Sequence, residues 1–206
     1  MAKYSTKTVF LCAECGEDFP KWHGKCPACN EWGTLKEYTV PKDGRPKETR
    51  EARGFTPLSD IIFDEACRTL SGIPELDRVL GGGFLSGSMI LLGGTPGIGK
   101  STLALQAVAS LGAPVLYVSA EENEEQIALR ARRLEIGSAN LSLSGENRWE
   151  AMREQLFFLK AKFFVIDSIQ TIYAEGSESL PGAIGQVREC GQKVLELCKS
   201  HGVTAI

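Results

Sequence analysis

The chain has 206 residues, 43% hydrophobic and 24% charged, with a net charge of −3, the balance of a folded soluble protein with one sizeable core. That charge excludes a protein that grips nucleic acid by bulk electrostatics, and no stretch approaches the ~20 apolar residues of a membrane helix. The opening "MAKYSTKTVF" lacks the apolar run of a secretory signal, so a cytoplasmic location is expected.

Residues 1–39 form a cysteine-bearing head. Cys12-x2-Cys15 and Cys26-x2-Cys29 are two thiolate pairs separated by ten residues, each in a small loop flanked by Gly16 or by Pro27 and Asn30. A tight CxxC turn lets two sulfurs converge on one ion, and two such turns supply the four ligands of a closed tetrahedral zinc site. A redox reading would need one CxxC at a helix start in a βαβ context, which is absent. His23, beside Trp22, is expected on the surface. A segment this short cannot bury enough surface to fold alone, whereas a structural zinc site supplies on the order of 10–16 kcal/mol. With no open position on the metal, the head reads as a zinc ribbon that docks something. Cys67, Cys190 and Cys198 are dispersed and read as small buried apolar residues.

Residues 40–56 read as a charged flexible linker: "VPKDGRPKETREARGF" holds five Lys or Arg, three Asp or Glu, two prolines and little to bury. From 57 onward short β-rich runs alternate with helical stretches. Strands are expected near 88–93, 114–119, 140–143 and 163–167, and helices near 100–111, 123–135, 147–161 and 181–201. That alternation predicts an α/β fold, a parallel sheet with crossover helices. The helix near 123–135 places Ile127, Leu129, Ala131 and Leu134 among Arg130, Arg132 and Arg133, whose basic side chains are expected on its solvated face.

The stretch Gly94-Thr95-Pro96-Gly97-Ile98-Gly99-Lys100-Ser101-Thr102 fits the Walker A pattern between a strand and a helix. Its glycines let backbone N–H groups wrap phosphates, and the following helix points its positive end at them. Lys100 is expected on the β- and γ-phosphates of ATP and the Ser101 hydroxyl on Mg²⁺. Asp167 ends "KFFVID", where a Walker B carboxylate holds the magnesium. Just past the strand that follows the phosphate-loop helix, "VLYVSAEEN" offers Glu121 as the base that activates water, with Glu122 second; otherwise both acids cap the helix starting near Asn123. The closing "HGVTAI" has Gly202 ending a helix and a strand just beginning. That predicts a fragment of a longer protein whose sheet lacks its remaining strands.

"LSGIPELDRVLGGGFLSGSMILLGGTPGIGKSTLALQ" resembles the RecA-type ATPase core, with its "G-x-x-x-LD-x-x-LGGG" lead-in. Joined to a four-cysteine finger, and with "VLYVSAEE" and "VIDSIQT" following, it resembles the bacterial DNA-repair family RadA (Sms). The resemblance implies zinc on Cys12, Cys15, Cys26 and Cys29, nucleotide on Gly94 to Ser101, and Glu121 as catalytic base. It further implies a DNA-dependent ATPase, a hexameric ring driving branch migration of recombination intermediates, with single-stranded DNA, branched DNA and the RecA recombinase as partners. The family's "KNRFG" motif and Lon-protease-like domain belong downstream of residue 206, so poor hydrolysis is expected of this stretch alone. One rival is a clock-like or signalling ATPase of the same core whose zinc head docks a protein, since the first 57 residues carry ten basic and eight acidic side chains. The other is a scaffold whose nucleotide site is only a structural switch.

Overall fold

The computed structural model describes residues 6–41, 56–61, 68–137, 139–175 and 182–206. The chain divides into two compact units. Most of the expected linker and Cys67 lie outside the described residues.

The first unit holds a three-stranded antiparallel sheet in the order β2 (Asp18–Phe19), β1 (Thr6–Cys12), β3 (Leu35–Pro41). The β3 strand runs to Pro41, two residues past the expected edge of the head, because its register with β1 pairs Thr6 with Pro41 and Cys12 with Leu35. Among the described residues, Cys12, Cys26 and Leu35 are its buried core, with Phe10, Cys15, Phe19 and Cys29 packed against them. A nucleus this small cannot stabilise a fold by burial alone, and the cysteines dominate it.

In the second unit β4 (Arg68–Thr69) pairs with β5 (Phe84–Leu85) around α1 (Pro74–Val79), elements the periodicity did not announce. They are built by the lead-in motif. The Asp77 carboxylate accepts the Ser71 N–H at 2.8 Å, and its carbonyl accepts the N–H of Gly82 at 2.7 Å. The Arg68 guanidinium donates to the carbonyls of Leu80 and Gly83. At Gly83, φ is 109°, and a Cβ would lie 2.6 Å from the Thr69 carbonyl oxygen, so only glycine fits the close pass against β4.

The main sheet is parallel, in the order β7 (Leu141–Ser144), β6 (Val115–Ser119), β8 (Phe163–Asp167), β9 (Thr204–Ala205). Helices α2 (Lys100–Ala109), α3 (Glu124–Arg133), α4 (Trp149–Phe158) and α5 (Ile184–His201) connect and cover it, which matches the expected α/β alternation. All five residues of β6 are buried, as a central parallel strand requires. One cluster, with Trp149, Met152, Phe164, Cys190, Val194 and Cys198, lies on one side of the sheet. A second, with Phe84, Leu105, Val108, Tyr117, Ile127 and Phe163, lies on the other. Cys190 and Cys198 are fully buried, as expected.

Two expectations need correction. The strand near 88–93 is reduced to a single parallel bridge, Met89 to Ala205, held by Ile90 N–H on the Ala205 carbonyl and Ala205 N–H on the Ser88 carbonyl. Leu91, one residue on, has no strand beside it among the described residues and is 77% exposed. Arg130 is not on a solvated face: its side chain is 12% exposed and ion-paired with Glu122. Leu129, grouped by pattern with the apolar residues, is 64% exposed, while Ile127 carries the helix's buried contact.

Candidate nucleotide site and metal centre

In the head, the two cysteine loops are near copies of one another. Gly16 N–H donates to the Cys12 carbonyl at 3.0 Å and Asn30 N–H to the Cys26 carbonyl at 2.9 Å, while Cys12 and Cys26 N–H donate to the carbonyls of Glu17 and Glu31. Gly16 and Asn30 close their turns in the left-handed region, where glycine and asparagine are the favoured residues. The four Sγ atoms lie within 4.8 Å of one another, with Cys12 to Cys29 and Cys15 to Cys26 each at 3.6 Å. Sulfurs on a tetrahedral zinc, with bonds of ~2.3 Å, sit about 3.8 Å apart, so the cradle has the size of that ion. Burial pushes the Cys12 thiol up, but hydrogen bonding to Thr34 Oγ1 (3.2 Å) and to the backbone N–H groups of Cys15 and Glu14 outweighs it, bringing the group down to about 6. At Cys29 the Glu31 N–H favours the thiolate, yet desolvation and the neighbouring sulfurs push it up to about 12. A dication at the centre relieves that crowding of like charge. His23 is exposed, edge-on to Phe19 at 5.8 Å, and is not among the ligands.

In the second unit, the turn from Gly94 to Gly99 delivers the chain into α2. Gly97 and Gly99 have φ of 78° and 102°, and Gly99 sits at the N-cap with no side chain bonded to the helix's first N–H groups and no acid in the first turn. Those donors and the helix's positive end therefore face the loop's concavity. Lys100 Nζ folds back to donate to the carbonyls of Gly94 (2.9 Å) and Thr95 (3.1 Å). Pro96 and Ile98 complete the loop, with Ile98 70% exposed, and Thr102 follows in the first turn of α2.

A cleft of about 530 Å³ is lined by Gly94, Lys100, Ser101, Glu121, Asp167, Ser168 and Gln170 on its polar side and by Ile90, Leu92, Val194 and Ile206 on its apolar side. The parallel register brings Ser119 opposite Asp167, so the ends of β6 and β8 present Glu121 and Asp167 to the same opening. Glu121 Oε1 accepts from the Ser168 hydroxyl at 2.7 Å and the Gln170 amide at 3.4 Å. The adjacent Glu122 turns the other way, to Arg130. Neither acid caps α3: Asn123 and Gln126 form a reciprocal capping box instead.

Three partners of these residues belong to no motif in the sequence. The Tyr117 hydroxyl, on a fully buried ring, donates to Asp167 Oδ2 at 2.8 Å and lies 3.5 Å from the Ser101 carbonyl. Burial, with the Asp167 charge next, raises its pKa well above the ordinary tyrosine value. Ser168 and Gln170 are the other two. A lone tyrosine among aliphatic residues in "VLYVS" was a usable sign, since a buried phenol needs an acceptor; nothing in "DSIQ" announced its roles.

Residues 69–148 match the KaiC ATPase family and residues 10–37 the zinc-ribbon family described as a rubredoxin metal binding domain. The DNA repair protein RadA of Listeria monocytogenes is 44% identical over 98% of this chain and 46% of its own length. That of Aquifex aeolicus is 44% identical over 97% of this chain and 45% of its own. The Escherichia coli protein is 38% identical over 100% of this chain and 47% of its own. The chain thus spans about half the length of these relatives. The crystal structure of a KaiC-like protein from Pyrococcus horikoshii superposes with a TM-score of 0.53 at 29% identity, over 68% of each chain. With 38–44% identity along nearly its whole length, a four-cysteine zinc ribbon and a RecA-like nucleotide-binding core, this chain is similar to the RadA proteins in both of its units.

Proposed function

We propose that the chain is the zinc-ribbon and nucleotide-binding part of a cytoplasmic, DNA-dependent ATPase that moves DNA strands during recombinational repair. The observation that carries the reading is the gathering of Lys100, Ser101, Glu121 and Asp167 around one cleft; the names of the RadA relatives supply the repair context.

Phosphates would bind on the N–H groups of residues 94–101, drawing Lys100 off the carbonyls of Gly94 and Thr95. Ser101 and Asp167 would hold Mg²⁺, which supplies charge neutralisation at the β- and γ-phosphates when bound. Tyr117, protonated at any working pH, orients the Asp167 carboxylate through Oδ2. Glu121, fixed through Oε1, is placed to take the proton of a water as its oxygen bonds the terminal phosphorus and ADP departs. Single strands and branched intermediates are the proposed substrates, with the RecA recombinase as partner and a homo-hexamer as the assembly.

The KaiC match supports a second reading, a clock-like or signalling ATPase whose ribbon docks a protein. Turnover by the full-length protein with and without single-stranded DNA decides between them: stimulation is expected, and its absence favours the second reading. In the same assay Lys100→Ala should abolish turnover; an unaffected repair function would leave the site as a mere structural switch.

A further inference from the structure

Two side chains of the ribbon serve neither its core nor its metal centre. Trp22 is 61% and Trp32 74% exposed. They share one face, because a Cβ placed on Gly24 would lie 3.6 Å from Trp22 Cη2 and 3.6 Å from Trp32 Cζ3. The face is held firmly: Lys25 bridges Trp32 across the second cysteine loop, Gly33 N–H donates to the Gly24 carbonyl at 2.9 Å, and the buried Cys26 anchors the turn between them. Among the described residues of the ribbon, no large aliphatic side chain is exposed beside them. From 19 to 30 the chain carries Lys21, His23 and Lys25 and no acid, with Lys21 and Lys25 both exposed; the nearest carboxylates in sequence are Asp18 and Glu31, one on either side.

Fixed, solvent-facing π surfaces flanked by ammonium groups match an unpaired nucleic-acid strand: every base offers a face to stack, and every linkage a phosphate for a lysine. Protein-binding hot spots favour tryptophan as well, so it is the two flanking ammonium groups, with no large aliphatic side chain exposed among the described ribbon residues, that favour a nucleic-acid strand. We propose that Trp22 and Trp32 form a base-stacking platform for single-stranded DNA, with Lys21 and Lys25 on the adjoining phosphates. The platform rests on the DNA reading above and gives that reading a local contact that the net charge of −3 does not supply.

The test uses the zinc-loaded chain and an oligothymidylate of ~20 nucleotides, longer than the ~4–16 that one small module covers. Two of the three tryptophans are in the platform and the third, Trp149, is 4% exposed, so the oligonucleotide should quench intrinsic emission if it stacks. Trp22→Ala with Trp32→Ala, checked for one zinc per chain, should bind on the order of tenfold or more weaker and show no quenching. The pair of Trp→Phe substitutions should recover most of the affinity, since a phenyl ring still stacks. Parent binding without quenching overturns the platform, and the quenching readout stands even if the alanine variant misfolds. Undiminished DNA binding by a zinc-loaded alanine variant overturns it as well, whether or not that variant loses a protein contact. If the parent binds no oligonucleotide and the full-length protein shows no DNA-stimulated turnover, the repair reading falls too. Stimulated turnover with an indifferent double variant removes the platform alone.

Discussion

Glu121 and Glu122 are neighbours with opposite orientations, and that difference is measurable. Glu121→Gln should lower turnover by ~10²–10⁴-fold while leaving nucleotide affinity in place, the signature of a lost general base. Glu122→Gln should leave the chemistry in place and cost stability, because it strands the Arg130 guanidinium, 12% exposed and with its Nε unpaired. The expected loss is on the order of 1–2 kcal/mol in urea unfolding, below the ~3–5 kcal/mol of a fully buried pair, since Glu122 is 37% exposed. Tyr117→Phe removes only a hydroxyl, yet it should raise the magnesium concentration needed for nucleotide binding several-fold and leave metal-free binding unchanged. The same residue carries a pH signature. Its folded pKa is raised above the ordinary 10.0 by burial and Asp167, so the native state holds its proton where the unfolded chain releases it. Stability from this source is complete below about pH 10 and declines above it. Parent and Tyr117→Phe, compared by urea unfolding from pH 8 to 11, should therefore converge as the pH rises.

At the scale of elements, the ribbon stands or falls with its metal. Stripping zinc with a chelator should release one ion per chain and dissolve β1, β2 and β3, seen as loss of ribbon signals in NMR, while the second unit keeps its sheet; a ribbon that stays ordered without metal would contradict this. Its three buried residues cannot replace an ion whose binding is worth on the order of 10–16 kcal/mol. How far these elements could be read in advance depends on where their information resides. The cysteine loops and the loop around Lys100 are local devices: spacing alone forms them, so the chain's letters revealed them. Strands β6 and β8 and helices α2 to α5 followed from apolar runs long enough to show a period. The strand near 88–93 did not follow, because Ser88 to Ile90 has β-prone composition whereas pairing depends on a neighbour more than a hundred residues away, Ala205. The β4–α1–β5 unit escaped notice for a related reason: it is held by Arg68 and Asp77 reaching backbone groups, with little periodic signal. The contacts of Tyr117, Ser168 and Gln170 are likewise tertiary, set by adjacent strand ends.

For the molecule as a whole, a net charge of −3 means that any DNA affinity must come from a few contacts. Binding of single strands should therefore depend only weakly on salt. With about 0.7 counterions released per phosphate and two lysines engaged, a log–log slope of roughly −1 to −2 is expected from titrations across salt concentrations. A much steeper slope would reveal a broad cationic surface elsewhere. One feature of the sheet governs how the nucleotide site as a whole can move. The segment leading into the phosphate loop meets the rest of the sheet at Ala205, which donates to Ser88 and accepts from Ile90, while Ile206 exchanges hydrogen bonds with Phe164 and Ile166 on the strand that carries Asp167. Two consecutive residues thus act as a rivet between the jaw bearing Lys100 and the jaw bearing Asp167. The lifetime of the Ala205 amide against deuterium becomes a gauge of how often those jaws part.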